Sequence, residues 1–234
     1  MKTKHTLLAG VLALALAASA QAELVEGKDY TVLSKPLPQL QSGKIEVTEF
    51  FAYWCPHCAD LDPVLLRHAK QFPRDTVLRT EHVIWDEARD YPLARLAVAV
   101  NQSGEKYRAN PAIFAALVQQ RINLGNEEVL RQWLPQQTGF NAAKVQAAFD
   151  SFSNATQAKQ MGALTRKHGI EGTPTLIVGG KYRVIFGNGY EAGMKTVDEL
   201  IAKVRQERGM PAPRPAPKPT RSLGASLLKS AVTR

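Results

Sequence analysis

The chain has 234 residues, only two of them cysteine, and a formal net charge of +9. Five of the positive charges stand without an acid in residues 209–234, at Arg214, Lys218, Arg221, Lys229 and Arg234, and two more are Lys2 and Lys4; residues 23–208 then hold 23 basic against 21 acidic side chains. A nearly balanced body with no basic stripe interleaved with aromatics excludes nucleic acid as the expected partner.

Lys2 and Lys4 precede an uncharged stretch, Thr6 to Ala18, and the small residues Ala18-Ser19-Ala20-Gln21-Ala22 follow. This is the pattern of a secretory signal peptide over residues 1–22, cleaved after Ala20 or Ala22. The apolar run, about 13 residues, is short of the roughly 20 that a spanning helix needs, and an uncleaved anchor is the weaker alternative. The pattern implies export to an oxidising compartment.

Residues 44–51, Lys-Ile-Glu-Val-Thr-Glu-Phe-Phe, read as a strand that runs into Cys55-Pro56-His57-Cys58. Pro56 suits the first position of a helix, and Leu61, Val64, Leu65, His68, Ala69 and Phe72 continue it at helical spacing, with a bend expected at Pro63. Thr76 to Trp85 is β-rich, so strand, motif, helix and strand make a βαβ unit. Helical patterns then follow in series: Leu93/Leu96/Ala97/Val100, Ile113/Phe114/Leu117, Val129/Leu130/Trp133 and Val145/Ala148/Phe149/Phe152, with Asn110, Asn126 and Asn141 as N-caps. A helix over roughly 154–168 leads to the strand Thr173–Val178, and Gly179-Gly180 turns it into a hairpin with Lys181–Phe186. A last helix is expected to start at a capping box, Thr196 to Glu199, to bury Val197, Leu200, Ile201 and Val204, and to end at Gly209. The Pro-rich segment 211–220 reads as an extended spacer. Beyond it, Leu223, Leu227, Leu228 and Val232 suggest a weak amphipathic helix for an anionic membrane surface, against the plainer reading of a solvated tail.

Both cysteines lie in one Cys-x-x-Cys, which closes too small a ring to constrain the unfolded chain much, so a structural staple is disfavoured. Zinc wants four ligands, and no second half-site exists; c-type haem wants His after the second cysteine, where Ala59 stands. Redox chemistry remains. Cys55 precedes a helix, whose free N–H groups and dipole favour a thiolate. His57 can add a charge or hydrogen bond to that sulfur. Asp60 and Asp62 oppose it only weakly if exposed. Cys58, three residues into the helix, is expected to be more buried and less reactive. Glu49 alternates in phase with Ile45, Val47 and Phe51, so it is expected to face the core with a raised pKa and to shuttle a proton for Cys58; a solvated acid at a sheet edge is the alternative.

The signal, Glu49-Phe50-Phe51, Cys55-Pro56-His57-Cys58, the helical insert and Thr173-Pro174 together resemble the DsbA family of periplasmic thiol:disulfide oxidoreductases. Gly27-Lys28-Asp29-Tyr30-Thr31 and Lys35-Pro36 extend the likeness, which covers about residues 26–208. The Pro-His dipeptide separates it from thioredoxin-like reductases, with Gly-Pro, and from eukaryotic disulfide isomerases, with Gly-His. The resemblance implies an α/β thioredoxin fold interrupted by an inserted helical domain: residues 23–85 and 154–208 form the first, 86–153 the second, and 209–234 a basic tail. It implies that Cys55 is the nucleophile and Cys58 the resolving cysteine, and that Thr173 and Pro174 bind substrate backbone, Pro174 as the family's cis-proline. Local sequence alone reads Thr173-Pro174 as an ordinary strand start.

Two departures stand out. Some members pair the buried acid with a lysine two residues before a His-Val; here His82-Val83 puts Thr80 at that place, so Glu49 is expected to lack its partner. The tail has no counterpart in the family core. His82 and His168 read as structural. The expected activity is a monomeric periplasmic disulfide donor to unfolded exported proteins with cysteine pairs. It is expected to need no metal or organic cofactor and to be reoxidised by a DsbB-like membrane quinone reductase. An isomerase or reductase using the same motif, and a thioredoxin-like peptide binder with a structural disulfide, are the alternatives.

Overall fold

In a computed structural model, the protein is described over residues 24–213, so the segment read as a signal peptide, residues 1–22, and all but the first residues of the tail lie outside the described residues. Five strands form one mixed sheet in the order β1-β5-β4-β2-β3: β1 Tyr30–Val32, β2 Ile45–Phe51, β3 Thr76–His82, β4 Thr175–Val178 and β5 Tyr182–Val184. β2 and β3 are parallel, which requires a crossover, and α1 (Pro56–Ala69) supplies it. The other pairings are antiparallel.

β2 is buried along its whole length because both faces of the sheet are covered. Ile45 and Val47 pack with Leu61 and Leu65 of α1 and with Val197, Leu200 and Val204 of α7 (Tyr190–Glu207). On the opposite face Phe50 joins the core built with α2 (Glu87–Ser103) and the helices that follow: α3 (Lys106–Phe114), α4 (Glu127–Trp133), α5 (Ala142–Phe149) and α6 (Asn154–Lys167). A strand buried on both sides has nowhere to solvate a charge, so the carboxylates of Glu46 and Glu49 must find partners or change their protonation. Glu46 accepts from the backbone N–H groups of Leu40 (2.6 Å) and Gln41 (2.8 Å) and from the Arg79 guanidinium (3.1 Å).

The local signals mostly act where the sequence puts them. Asn126 and Asn141 cap α4 and α5 by accepting from Val129 N and Lys144 N at 3.1 and 3.0 Å. Gly179 and Gly180 both have positive φ, 62° and 76°, in a turn closed by Lys181 N–H on Val178 O. α1 runs through Pro63 to Ala69 without a break.

Four expectations fail. Asn110 is not an N-cap: α3 starts at Lys106, and Asn110 sits inside it, buried, with its side chain bonded across to Tyr53 and Asp62. Two long-range hydrogen bonds outweigh the local preference of a pre-proline residue against helix. Thr196 does not open the last helix, which begins at Tyr190 after Gly189. Gly193 lets that first turn press on Phe186, since a Cβ there would lie 2.4 Å from the ring. Finally, α5 ends at Phe149, and Phe152 is fully exposed instead of continuing the buried stripe. The second central strand is also shorter than read, closing at His82, before Trp85.

Candidate active site

The site sits where β2 runs out. Tyr53 N–H donates to His82 Nε2 (3.1 Å), and His82 Nδ1 lies 2.7 Å from Val83 O, so the ring is neutral with its proton on Nδ1. Burial pulls His82 down to about 4, which keeps it uncharged. This histidine is structural, as read: it fixes the turn that delivers the next residues to the mouth of α1.

Cys55 is the N-cap of α1, with Pro56 at the first helical position. Cys58 N–H points at the Cys55 sulfur from 3.4 Å, and Thr173 O lies 3.5 Å away. Both cysteines are free thiols. The Cys58 thiol donates to the Cys55 sulfur, and with the backbone N–H groups of Cys58 and His57 this draws Cys55 down to about 5 although burial opposes it. The same hydrogen bond, with burial and the charge of Glu49, pushes Cys58 up. Pro56 and His57 are exposed. The His57 ring makes no hydrogen bond to a described residue, and its backbone N–H, not its imidazole, serves the sulfur. Thr173-Pro174 is a cis peptide beside the cysteines, ahead of a strand that starts at Thr175.

Glu49 lies beneath, 3 % exposed. Burial, then the charges of Asp62 and Cys55, push it up to about 8, and Lys106 pulls it back. Two residues here correct the sequence reading. Asp62 is not an exposed acid: it is 3 % exposed, one turn past Cys58, and burial pushes it up to about 6. Asn110 Nδ2 donates to Asp62 Oδ1 (2.9 Å), and Asn110 Oδ1 accepts from the Tyr53 hydroxyl (2.8 Å). Nor does Glu49 lack a cation. Thr80 lies opposite it in the sheet, with its hydroxyl bonded to Asn101, but Lys106 of α3 acts on it from further along the chain. Lys106 donates to Leu78 O (3.2 Å), and burial draws it down to about 8 against the pull of Glu49, Glu81 and Asp62. No local signal marks Lys106; only the packing of α3 places it.

The rim carries two tryptophans with ring centres 6.0 Å apart, Trp54 and Trp85. Trp54 Nε1 donates to Asp90 (2.9 Å), and the Arg89 guanidinium stacks 4.2 Å from its ring. Burial alone would raise Asp90, but hydrogen bonds from Arg89, two backbone N–H groups and Trp54 hold it at about 2. Among the described residues no group of three or more His, Cys, Asp or Glu side chains is placed to hold a metal ion.

The site thus joins a thiol at a helix mouth, a buried partner thiol and a cis peptide beside them. Residues 91–197 match the family model of the DSBA-like thioredoxin domain. The thiol:disulfide interchange protein DsbA of Bordetella parapertussis is 36 % identical over 182 residues, covering 76 % of this chain and 86 % of that protein. The DsbA of Pseudomonas aeruginosa is 30 % identical over 211 residues, 86 % of this chain and 97 % of the relative. Among solved structures, the oxidoreductase NmDsbA1 from Neisseria meningitidis is 52 % identical with a TM-score of 0.76, over 81 % of this chain and 98 % of that one. NmDsbA3 from the same organism is 54 % identical with a TM-score of 0.72, over 80 % and 100 %. The protein is a thiol:disulfide oxidoreductase, and the chain belongs to the DsbA family.

Proposed function

We propose that the protein works as a disulfide donor to unfolded, newly exported proteins with cysteine pairs. The observation that carries this direction is the asymmetry of the two thiols, Cys55 drawn down to about 5 and Cys58 pushed up. A comfortable Cys55 thiolate stabilises the dithiol form and makes the disulfide a strong oxidant. In the cycle a substrate thiolate attacks Cys55 Sγ. The substrate–Cys55 bond forms, the Cys55–Cys58 bond breaks, and the electron pair leaves on Cys58, which takes a proton from the Glu49 carboxylic acid. The substrate's second thiolate then attacks its own sulfur in the mixed disulfide, and Cys55 departs as thiolate. Two electrons have passed from the substrate to the cysteine pair.

Thr173 and Pro174 meet the substrate backbone beside Cys55, while Pro56 and His57 set the helix mouth. The cycle uses no metal or organic cofactor. The protein acts as a monomer in the periplasm after cleavage behind Ala20 or Ala22, a reading supported by the charge and small-residue pattern of residues 1–22. Among the described residues no helix is long and apolar enough to cross a membrane. A DsbB-like membrane quinone reductase withdraws the electrons.

Equilibration of the mature protein with glutathione buffers, followed by Trp54 fluorescence, tests the direction. Half-reduction in weakly reducing buffer is expected, and Cys55→Ser is expected to abolish turnover. A pair that stays oxidised until strongly reducing conditions would make the protein a reductase or leave the disulfide structural.

A further inference from the structure

The helix α3 presents two polar side chains one turn apart on the same face, Lys106 and Asn110. Both reach across to the elements that frame Cys58. Asn110 ties Asp62 of α1 to the Tyr53 hydroxyl, and Lys106 hooks its ammonium onto Leu78 O of the edge strand β3. In the sheet Leu78 and Thr80 lie beside Val47 and Glu49. Thr80 cannot serve as a cation there, and its hydroxyl is already engaged with Asn101. Among the described residues no carboxylate lies within ion-pair distance of Lys106, whose only hydrogen bond is to that carbonyl. Asp62 Oδ2, meanwhile, is buried with no partner. The charge of Lys106 is therefore not consumed in one salt bridge and acts on the acids together, through a poorly screened interior.

We infer that Lys106, carried in by the inserted helices, is the positioning cation of the Glu49–Asp62 acid pair, and that it sets how readily Cys58 can give up its proton. The inference rests on the oxidoreductase reading above and adds a residue that acts on its Cys58 step. The ionisable groups that act on the pair or are acted on by it are Cys55 and Cys58 at the start of α1, Tyr53 after β2 and Lys106 on α3, while Glu81 of β3, paired with Arg79, acts on Lys106. Of these, Lys106 is the group that lowers Glu49; burial, Asp62 and Cys55 raise it.

The step concerned is ring closure when the reduced protein is reoxidised. With glutathione disulfide as oxidant, Cys55 thiolate first captures one glutathione and releases the other. Cys58 then passes its proton to the Glu49 carboxylate and attacks Cys55 Sγ. The Cys55–Cys58 bond forms, the Cys55–glutathione bond breaks, and glutathione leaves with the electron pair and is protonated by water. Closure needs Glu49 ionised, and without the cation a smaller fraction is ionised at neutral pH.

Rapid mixing of the reduced mature protein with glutathione disulfide, acid-quenched for mass at several pH values, separates capture from closure. Capture reports the oxidoreductase reading itself, and closure reports Lys106. In Lys106→Met and Lys106→Gln, the pH midpoint for closure is expected to move up by about one unit, with closure at pH 7 slowed up to about tenfold. Lys106→Arg is expected to restore both. On a Glu49→Gln background, Lys106→Met is expected to shift nothing further. A midpoint that stays put in a folded Lys106 variant overturns the inference, as does a shift of the same size without Glu49.

Discussion

Two sulfurs three residues apart differ because one caps a helix and the other lies inside it. Cys55 receives the Cys58 S–H and two backbone N–H groups, whereas Cys58 is fully buried and faces the charge of Glu49. The thiolate absorbance of the reduced protein is expected to titrate with a midpoint near 5. Cys58→Ala removes the donor that contributes most, and a charge-assisted hydrogen bond of about 1.5–3 kcal/mol corresponds to a rise of roughly one to two units. An unmoved midpoint would shift the explanation to the helix terminus alone. The placement of Cys55 at a helix start, of Cys58 inside the helix and of Glu49 in the core was legible in the sequence because a motif and a strand alternation are local facts. Asp62 was misread for the opposite reason. Helical spacing alone does not say that Asn110 of another helix will reach it, so it passed for a surface acid.

At the scale of the element, the informative contact is α3 against α1. Tyr53 hydroxyl, Asn110 and Asp62 form a buried chain that joins the turn after β2 to the inserted helices. Truncating Asn110→Ala would leave a buried hydroxyl and a buried carboxyl without partners. The expected cost is about 2–4 kcal/mol, read as a lower urea midpoint at unchanged slope. A change within about 0.5 kcal/mol would mean that the chain contributes no net stability. The same contact explains what the sequence hid. The strand ahead of Cys55, the Asn126 and Asn141 caps and the Gly179-Gly180 turn depend on neighbours in the chain and were read correctly. Asn110 before Pro111 and Thr196 before Glu199 carry equally good local signals, but packing overrode them: Asn110 is used across the core, and α7 starts earlier, at Tyr190, with Gly193 in its first turn under Phe186.

For the whole molecule, the ionisation of one sulfur couples redox state to stability. Cys55 falls from an ordinary value of 9.0 to about 5 on folding. A depressed pKa adds stability that is complete above the unfolded value and disappears as pH falls through the folded one. The reduced protein therefore gains stability from about pH 5 upward to pH 9, while the disulfide form has no thiol to ionise. Other buried groups act on both forms. Glu49, raised to about 8, costs stability as pH climbs past its ordinary 4.5. His82, lowered to about 4, costs stability as pH drops below its ordinary 6.5. Their contributions shape each curve but largely cancel in the difference. Paired melting curves should then place the reduced form above the oxidised one at pH 7, by on the order of 5 °C for a chain of this size. The gap should close as pH approaches 5 and widen toward 8. A small ring that stabilised by restraint would give the reverse order at every pH. An oxidised form that melts higher at pH 7, or a gap that ignores pH, would remove the thermodynamic basis for disulfide donation.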